Sequence, residues 1–207
     1  MSNLAALHNA PREVLEEIAR EYEQTLVIPD TKSSPQWMLL SVGLIGSGKT
    51  TTVKPLAEHF GLMRICTDDI RERLKLHGYS FEGARDVAYE LTKKYLELGY
   101  SLAIDANAGG KTGLEYNRKV KEAFPQIRQI FIHINTPEEL IIKQIRNRKN
   151  SLIFRDAEEA IERFHFHKQN FTLPDLPYVY TFDPSRDDFP EQLAQCIGAI
   201  ERRLQAA

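Results

Sequence analysis

Thiols are scarce in this chain: Cys66 and Cys196 are its only cysteines. Both stand in apolar surroundings, where a buried thiol packs as a small hydrophobe. Two such residues build no disulfide framework, so the sequence points to a reducing, cytoplasmic setting. No apolar run approaches the roughly 20 residues that a bilayer-spanning helix requires, which argues against any membrane partner. The opening residues Met1 to Asn9 lack the basic start and apolar stretch of a secretory leader. An excess of charge is missing as well. With 27 Lys and Arg against 29 Asp and Glu, the formal net charge is -2, which gives no general attraction to nucleic acid or to an anionic surface. Internal repeats and low-complexity segments are absent too. The 207 residues that remain to be explained suit a soluble globular unit with a real core.

What is present is an alternation of apolar strands and amphipathic helices. Residues 11–26 open with Pro11 and carry Val14, Leu15, Ile18, Ala19 and Tyr22 at helical spacing. The loop 29–35 leads to an apolar strand, Trp37 to Val42. The order then runs through a helix from Thr51 to Phe60, a strand at 63–66, and helices at 68–76 and 82–98, the last closed by Gly99. A strand follows at 102–105, then a helix near 113–124 and a strand at 127–134. A helix opens at Thr136-Pro137-Glu138-Glu139, with Thr136 as cap and Pro at the first position. Further on come a helix at 156–170, a strand at 179–182 and a last helix at 188–205. This pattern predicts a three-layer α/β/α fold around a mainly parallel five-stranded sheet, with a helical lid at about 146–170. We divide the chain into an N-terminal helix and linker, 1–36, and one domain, 37–207.

Gly43-Leu44-Ile45-Gly46-Ser47-Gly48-Lys49-Thr50 fits G-x-x-x-x-G-K-[ST], a phosphate-binding P-loop, and lies between a strand and a helix as that motif requires. Glycines Gly43, Gly46 and Gly48 let successive backbone N–H groups, that of Ser47 among them, point at phosphate oxygens. The helix N-terminus, with Thr50 and Thr51 in its first turn, adds partial positive charge. The pattern predicts that Lys49 reaches the β- and γ-phosphates of a nucleoside triphosphate and that the Thr50 hydroxyl holds Mg²⁺.

Ligands of such sheets gather at the carboxyl ends of the strands, and the remaining candidates lie there. The strand 63–66 runs into Thr67-Asp68-Asp69-Ile70-Arg71. Asp68 and Arg71 share a helical face, which makes Asp68 the candidate general base; Asp69 pairs with Arg73 at i,i+4 as a surface contact. Asp105-Ala106-Asn107 ends the next strand, where Asp105 would reach a metal's water shell or fix Arg71. Gly109-Gly110-Lys111-Thr112 misses the P-loop pattern, because Asp105 stands where its first Gly belongs, and reads as a flexible substrate loop. Residues 143–168 hold seven cations against four acids, which suits arginines of a lid, Arg146 and Arg148 foremost, closing over a triphosphate. His165 and His167 lack the acidic partners of a metal site.

In combination, the P-loop, Asp68-Asp69-Ile70-Arg71, Asp105-Ala106-Asn107 and the Arg146/Arg148 helix end resemble the P-loop kinases that include polynucleotide 5′-hydroxyl kinases, zeta-toxin-like proteins and other AAA_33-type ATP-binding proteins, over about residues 37–185. The resemblance implies ATP and Mg²⁺ as nucleotide and metal. It implies Asp68 as general base, Arg71 as a substrate contact, Asp105 as the group that steadies Arg71, and Arg148 as a phosphate contact, with Asn107 beside the acceptor. The segment 105–110 departs from the family's D-[AT]-T-N phrase, and Gln144 falls near where polynucleotide kinases carry a second lid arginine. Helix 11–26 lies outside the resemblance and is assigned to packing or dimerisation. The expected activity is transfer of the γ-phosphoryl of ATP to a hydroxyl of a polynucleotide or small metabolite. An acceptor-independent ATPase or switch, and a nucleic-acid-binding module using the basic lid, are the alternatives.

Overall fold

A computed structural model of the chain describes residues 8–148 and 153–206. Five strands, β1 (Trp37–Val42), β2 (Met63–Cys66), β3 (Leu102–Asp105), β4 (Arg128–Ile134) and β5 (Tyr178–Phe182), form one sheet in the order β2-β3-β1-β4-β5. All four pairings are parallel. The expected sheet and its helical layers are both present.

The alternation of side chains along β1 sorts the core into two faces. Met38, Leu40 and Val42 pack on one side with Met63, Ile65, Leu102 and Ile104. There they meet α1 (Arg12–Glu23), α3 (Thr67–Leu76), α4 (Ala84–Glu97) and α5 (Lys111–Ala123). Trp37 and Leu39 point the other way and meet Ile130, Ile132 and Ile134 under α2 (Lys49–Phe60) and α8 (Phe189–Gln205). Both faces of β1 are fully buried. Each such aliphatic side chain contributes on the order of 1.5–3 kcal/mol on burial. A central strand so held is a rigid mount for the loop that leaves its carboxyl end.

A third, smaller cluster joins α6 (Glu138–Asn147) to α7 (Ala157–Gln169) through Ile141, Ile145, Ala160, Ile161 and Phe164. This pair packs on the P-loop, with Ile141 and Ile145 against Gly46; it begins before the lid expected at about 146–170, of which residues 149–152 lie outside the described ones. α7 begins at Asp156, whose side chain accepts from the Glu159 N–H at 2.8 Å. The cap expected of Thr136 is not formed. Pro137 takes that position, and Thr136 instead donates its hydroxyl to the Ser47 carbonyl at 2.7 Å.

α1 is built into the main core, with Ile18 and Tyr22 buried. The Cys66 N–H at the end of β2 donates to the Tyr22 hydroxyl at 2.7 Å, and Glu23 accepts from Tyr95 of α4 at 2.7 Å. Among the described residues no helix is long and apolar enough to cross a membrane.

Candidate nucleotide and acceptor site

The loop after β1 turns where only glycine is comfortable. Gly46 sits at φ +76°, and a Cβ there would lie 2.9 Å from the Ile145 side chain of α6. Gly48, at φ +91°, begins α2 in the left-handed region with open space beside it. The cradle is thereby pressed under α6 while its mouth stays open. Inside it, the Ser47 hydroxyl is buried without a hydrogen-bond partner, and the Lys49 ammonium donates to the Gly43 and Leu44 carbonyls at 3.0 and 2.7 Å. Burial pulls the Lys49 pKa down. Asp68 and Asp105 act in the opposite direction, and Arg71 adds to the depression. These residues therefore surround one point in the structure.

The cleft in front of the loop has a volume of about 1180 Å³. It is lined by Lys49, Thr50 and Thr51 from α2, Asp68 and Arg71 from α3, Asp105 and Asn107 beyond β3, and Arg148 at the end of α6. Gly46 and Gly48 also line it, while Gly43 and Ser47 lie behind in the wall. Arg146, expected over the phosphates, faces away: its exposed guanidinium lies 3.6 Å from Glu158 of α7. Helical geometry explains this, because Arg146 follows Ile145, which is turned into the roof. Arg155 lines the cleft but is occupied by its neighbour Asp156 at 2.9 Å.

Asp68 and Arg71 form the expected i,i+3 pair at 2.8 Å. Two other pairings differ from expectation. Asp69 does not pair with the Arg73 guanidinium; Arg73 donates to the Asp69 backbone carbonyl, and the Asp69 carboxylate lies 3.5 Å from Arg64. Asp105 does not hold Arg71. It is buried, and its Oδ2 accepts from the Arg64 Nε and Nη2 at 2.9 and 2.6 Å, while its Oδ1 accepts from the Thr50 hydroxyl at 3.2 Å. The parallel register that sets Cys66 beside Asp105 brings Arg64 of β2 within reach of that carboxylate. Asn107 lines the cleft and also braces it, accepting from the Gly109 N–H at 3.0 Å and the Gly43 N–H at 3.4 Å. The stretch expected to be a flexible loop is instead firm. Gly109 is packed so close to Val42 that a Cβ would lie 2.5 Å from it, and α5 starts at Lys111.

Three functional candidates were missed by reading the sequence. Arg64 had a signal, a lone charge in a short apolar strand, which demands a buried partner. Arg85 of α4 lines the cleft, and its pKa is pulled down first by burial and then by Arg71. His167 lines it from α7, with its pKa lowered by burial and then by Arg163, Arg71 and Lys49. Nothing local in the sequence marks these last two. Cys66 adjoins the site but is inert, since burial and then Asp105 and Asp69 push its thiol up.

Oxygen donors and a cradle of N–H groups fit a polyphosphate with a hard divalent cation. The chain belongs to the AAA domain family AAA_33, whose model matches residues 38–171. No curated protein is close enough in sequence to match it. Among solved structures it is similar to a putative kinase from Chloroflexus aurantiacus j-10-fl, with TM-score 0.61, 19% identity and coverage of 82% of this chain and 97% of that one. A gluconokinase from Sinorhizobium meliloti 1021 gives TM-score 0.58 at 16% identity, with 83% and 95% covered. A sugar kinase from Janibacter sp. HTCC2649 gives 0.53 at 23%, with 83% and 94% covered. At these identities the likeness concerns the fold.

Proposed function

We propose that the protein is an ATP-dependent kinase that transfers the γ-phosphoryl group to a hydroxyl of a small molecule. The observation that carries this reading is the Asp68 carboxylate, held by Arg71 at 2.8 Å on the same cleft as Lys49. Phosphoryl transfer to a hydroxyl needs a carboxylate near the phosphates to take the acceptor's proton, and Asp68 is placed for that part.

In this reading the loop amides and Lys49 bind the β- and γ-phosphates, with Lys49 exchanging the Gly43 and Leu44 carbonyls for phosphate oxygens. Thr50 and Asp105 are the residues that would hold Mg²⁺, which when bound neutralises phosphate charge. Asp68 accepts the proton of the acceptor hydroxyl. The acceptor oxygen forms its bond to the γ-phosphorus as the bond from that phosphorus to the β–γ bridging oxygen breaks, and ADP leaves. Arg71 holds the Asp68 carboxylate in place at 2.8 Å, and Arg148 faces the charge that develops during transfer. Arg64, through Asp105, positions the metal-binding pair.

The polynucleotide acceptor implied by the sequence resemblance is less well supported than a small one. Two of the similar structures are named as sugar kinases or a gluconokinase, and the cleft is roofed by α6 and α7. Incubation with γ-labelled ATP and a panel of sugars, sugar acids, nucleosides, amino-sugar nucleotides and 5′-hydroxyl oligonucleotides tests this reading. Label on a small acceptor supports it. Hydrolysis of ATP that no acceptor changes would favour a nucleotide switch instead.

A further inference from the structure

Arg71 and Arg85 both line the cleft, and of the two only Arg71 has an acidic partner among the described residues. Arg71 donates to Asp68 through Nη1. Arg85, one helix further along, forms no ion pair with any acid among the described residues, although it is only partly exposed and lines the cleft. A cation taken partly out of water beside a second cation is costly unless an anion joins them. α3 and α4 pack against each other, which fixes the two guanidinium-bearing helices in place. Arg85 also lines a small side cavity with Tyr116 and Asn117. Asn117 is 5% exposed and its Oδ1 has no hydrogen-bond partner. Arg85 therefore brings unpaired positive charge to the cleft, whereas Asn117 lines only the side cavity.

We propose that Arg85, together with Arg71, seats an anionic group of the acceptor, so that the substrate is a small hydroxyl compound bearing a carboxylate or a phosphate. This rests on the kinase reading above and narrows its substrate class. Guanidinium forks match the oxygen spacing of both groups, and the charge of the seated anion removes the repulsion between the two arginines. A neutral polyol gains none of this interaction.

The test uses the full chain and matched triplets: a hexitol, the hexonate and the hexitol phosphate, with a 5′-hydroxyl oligonucleotide as a fourth acceptor. With γ-labelled ATP, wild type should use an anionic member with kcat/KM about 10- to 100-fold above the neutral one. Arg85→Gln should raise KM for that acceptor by a similar factor while leaving KM for ATP in place, and Arg85→Lys should recover part of the loss. A second arm needs no turnover. With ADP saturating the phosphate loop, sulfate and the hexonate should each raise Tm of wild type but not of Arg85→Gln, with equal ADP affinity showing that the variant is folded. Equal use of neutral and anionic acceptors, preference for the oligonucleotide, or equal stabilisation of both proteins by the anions would overturn the proposal. Absence of transfer to every acceptor would count against the kinase reading alone, and the ADP-saturated arm would still decide whether Arg85 seats an anion.

Discussion

Arg64 and Asp105 show how much one side chain does for this site. Asp105 is nearly sealed from solvent, and Arg64 donates twice to one of its oxygens. The other oxygen is left for Thr50. Removing one partner of such a pair leaves an unpaired buried charge, which costs more than the pair contributes. Arg64→Gln is therefore expected to destabilise the protein by about 3 kcal/mol, the low end of the usual range for a broken buried pair because the arginine side chain is 21% exposed. Denaturant midpoints of Arg64→Gln, Asp105→Asn and the double variant measure it; the double variant should be less impaired than the sum of the two. Arg64 stood out in the sequence only as a lone charge in an apolar strand, with its partner hidden, and Arg85 did not stand out at all. Arg64 meets its acid across the β2–β3 pairing, 41 residues away, and Arg85 acquires its meaning from α3 and the side cavity. Local rules assigned Asp69 to Arg73 and Asp105 to Arg71 because helical spacing and strand ends are visible in one dimension, whereas cross-strand neighbours are not.

At the scale of elements, β1, its loop and α2 were legible because every cue is local: a strand buried on both faces, glycines where φ is positive, and a helix closed by Gly61. The Asp68/Arg71 pair was legible for the same reason, since i,i+3 spacing decides it. Thr136 was misread because a capping residue and a long-range tether look alike in sequence; its hydroxyl found the loop at Ser47 rather than its own helix. α1 gave only an amphipathic pattern, which packing turns into a support for the site. Its Tyr22 hydroxyl satisfies the Cys66 N–H two residues before Asp68. Tyr22→Phe keeps the ring and removes that acceptor, so it should cost about 1–3 kcal/mol of stability. It should also speed amide exchange at Cys66 and the first turn of α3, which hydrogen exchange read residue by residue would show. Unchanged protection there would mean that α1 does not brace the base-bearing helix.

Across the whole molecule, charge is unevenly spent. The chain is slightly acidic at -2, while its cleft gathers Lys49, Arg71, Arg85, Lys111, Lys143, Arg148 and Arg155 against Asp68, Asp105 and Asp156. That local excess focuses attraction on a polyanion without making the surface generally basic. It also shapes the response to pH. His133 and His167 both have pKa values held below the ordinary imidazole range, by burial in each case and additionally by Arg163, Arg71 and Lys49 for His167. Below about pH 6.5 the unfolded chain takes up protons that the folded chain refuses, so this part of the stability is present above that pH and is lost as pH falls through it. Thermal melts between pH 8 and pH 5.5 should show the decline, and His133→Gln with His167→Gln should flatten it.

The central claim is that a carboxylate from the second strand's end removes a proton beside a phosphate cradled after the first. Transfer from γ-labelled ATP to the best acceptor, compared between wild type and Asp68→Asn, tests this most directly. The account predicts a fall in kcat of about 10²- to 10⁴-fold with ATP affinity retained. An Asp68→Asn protein that transfers phosphate as fast as wild type would contradict it.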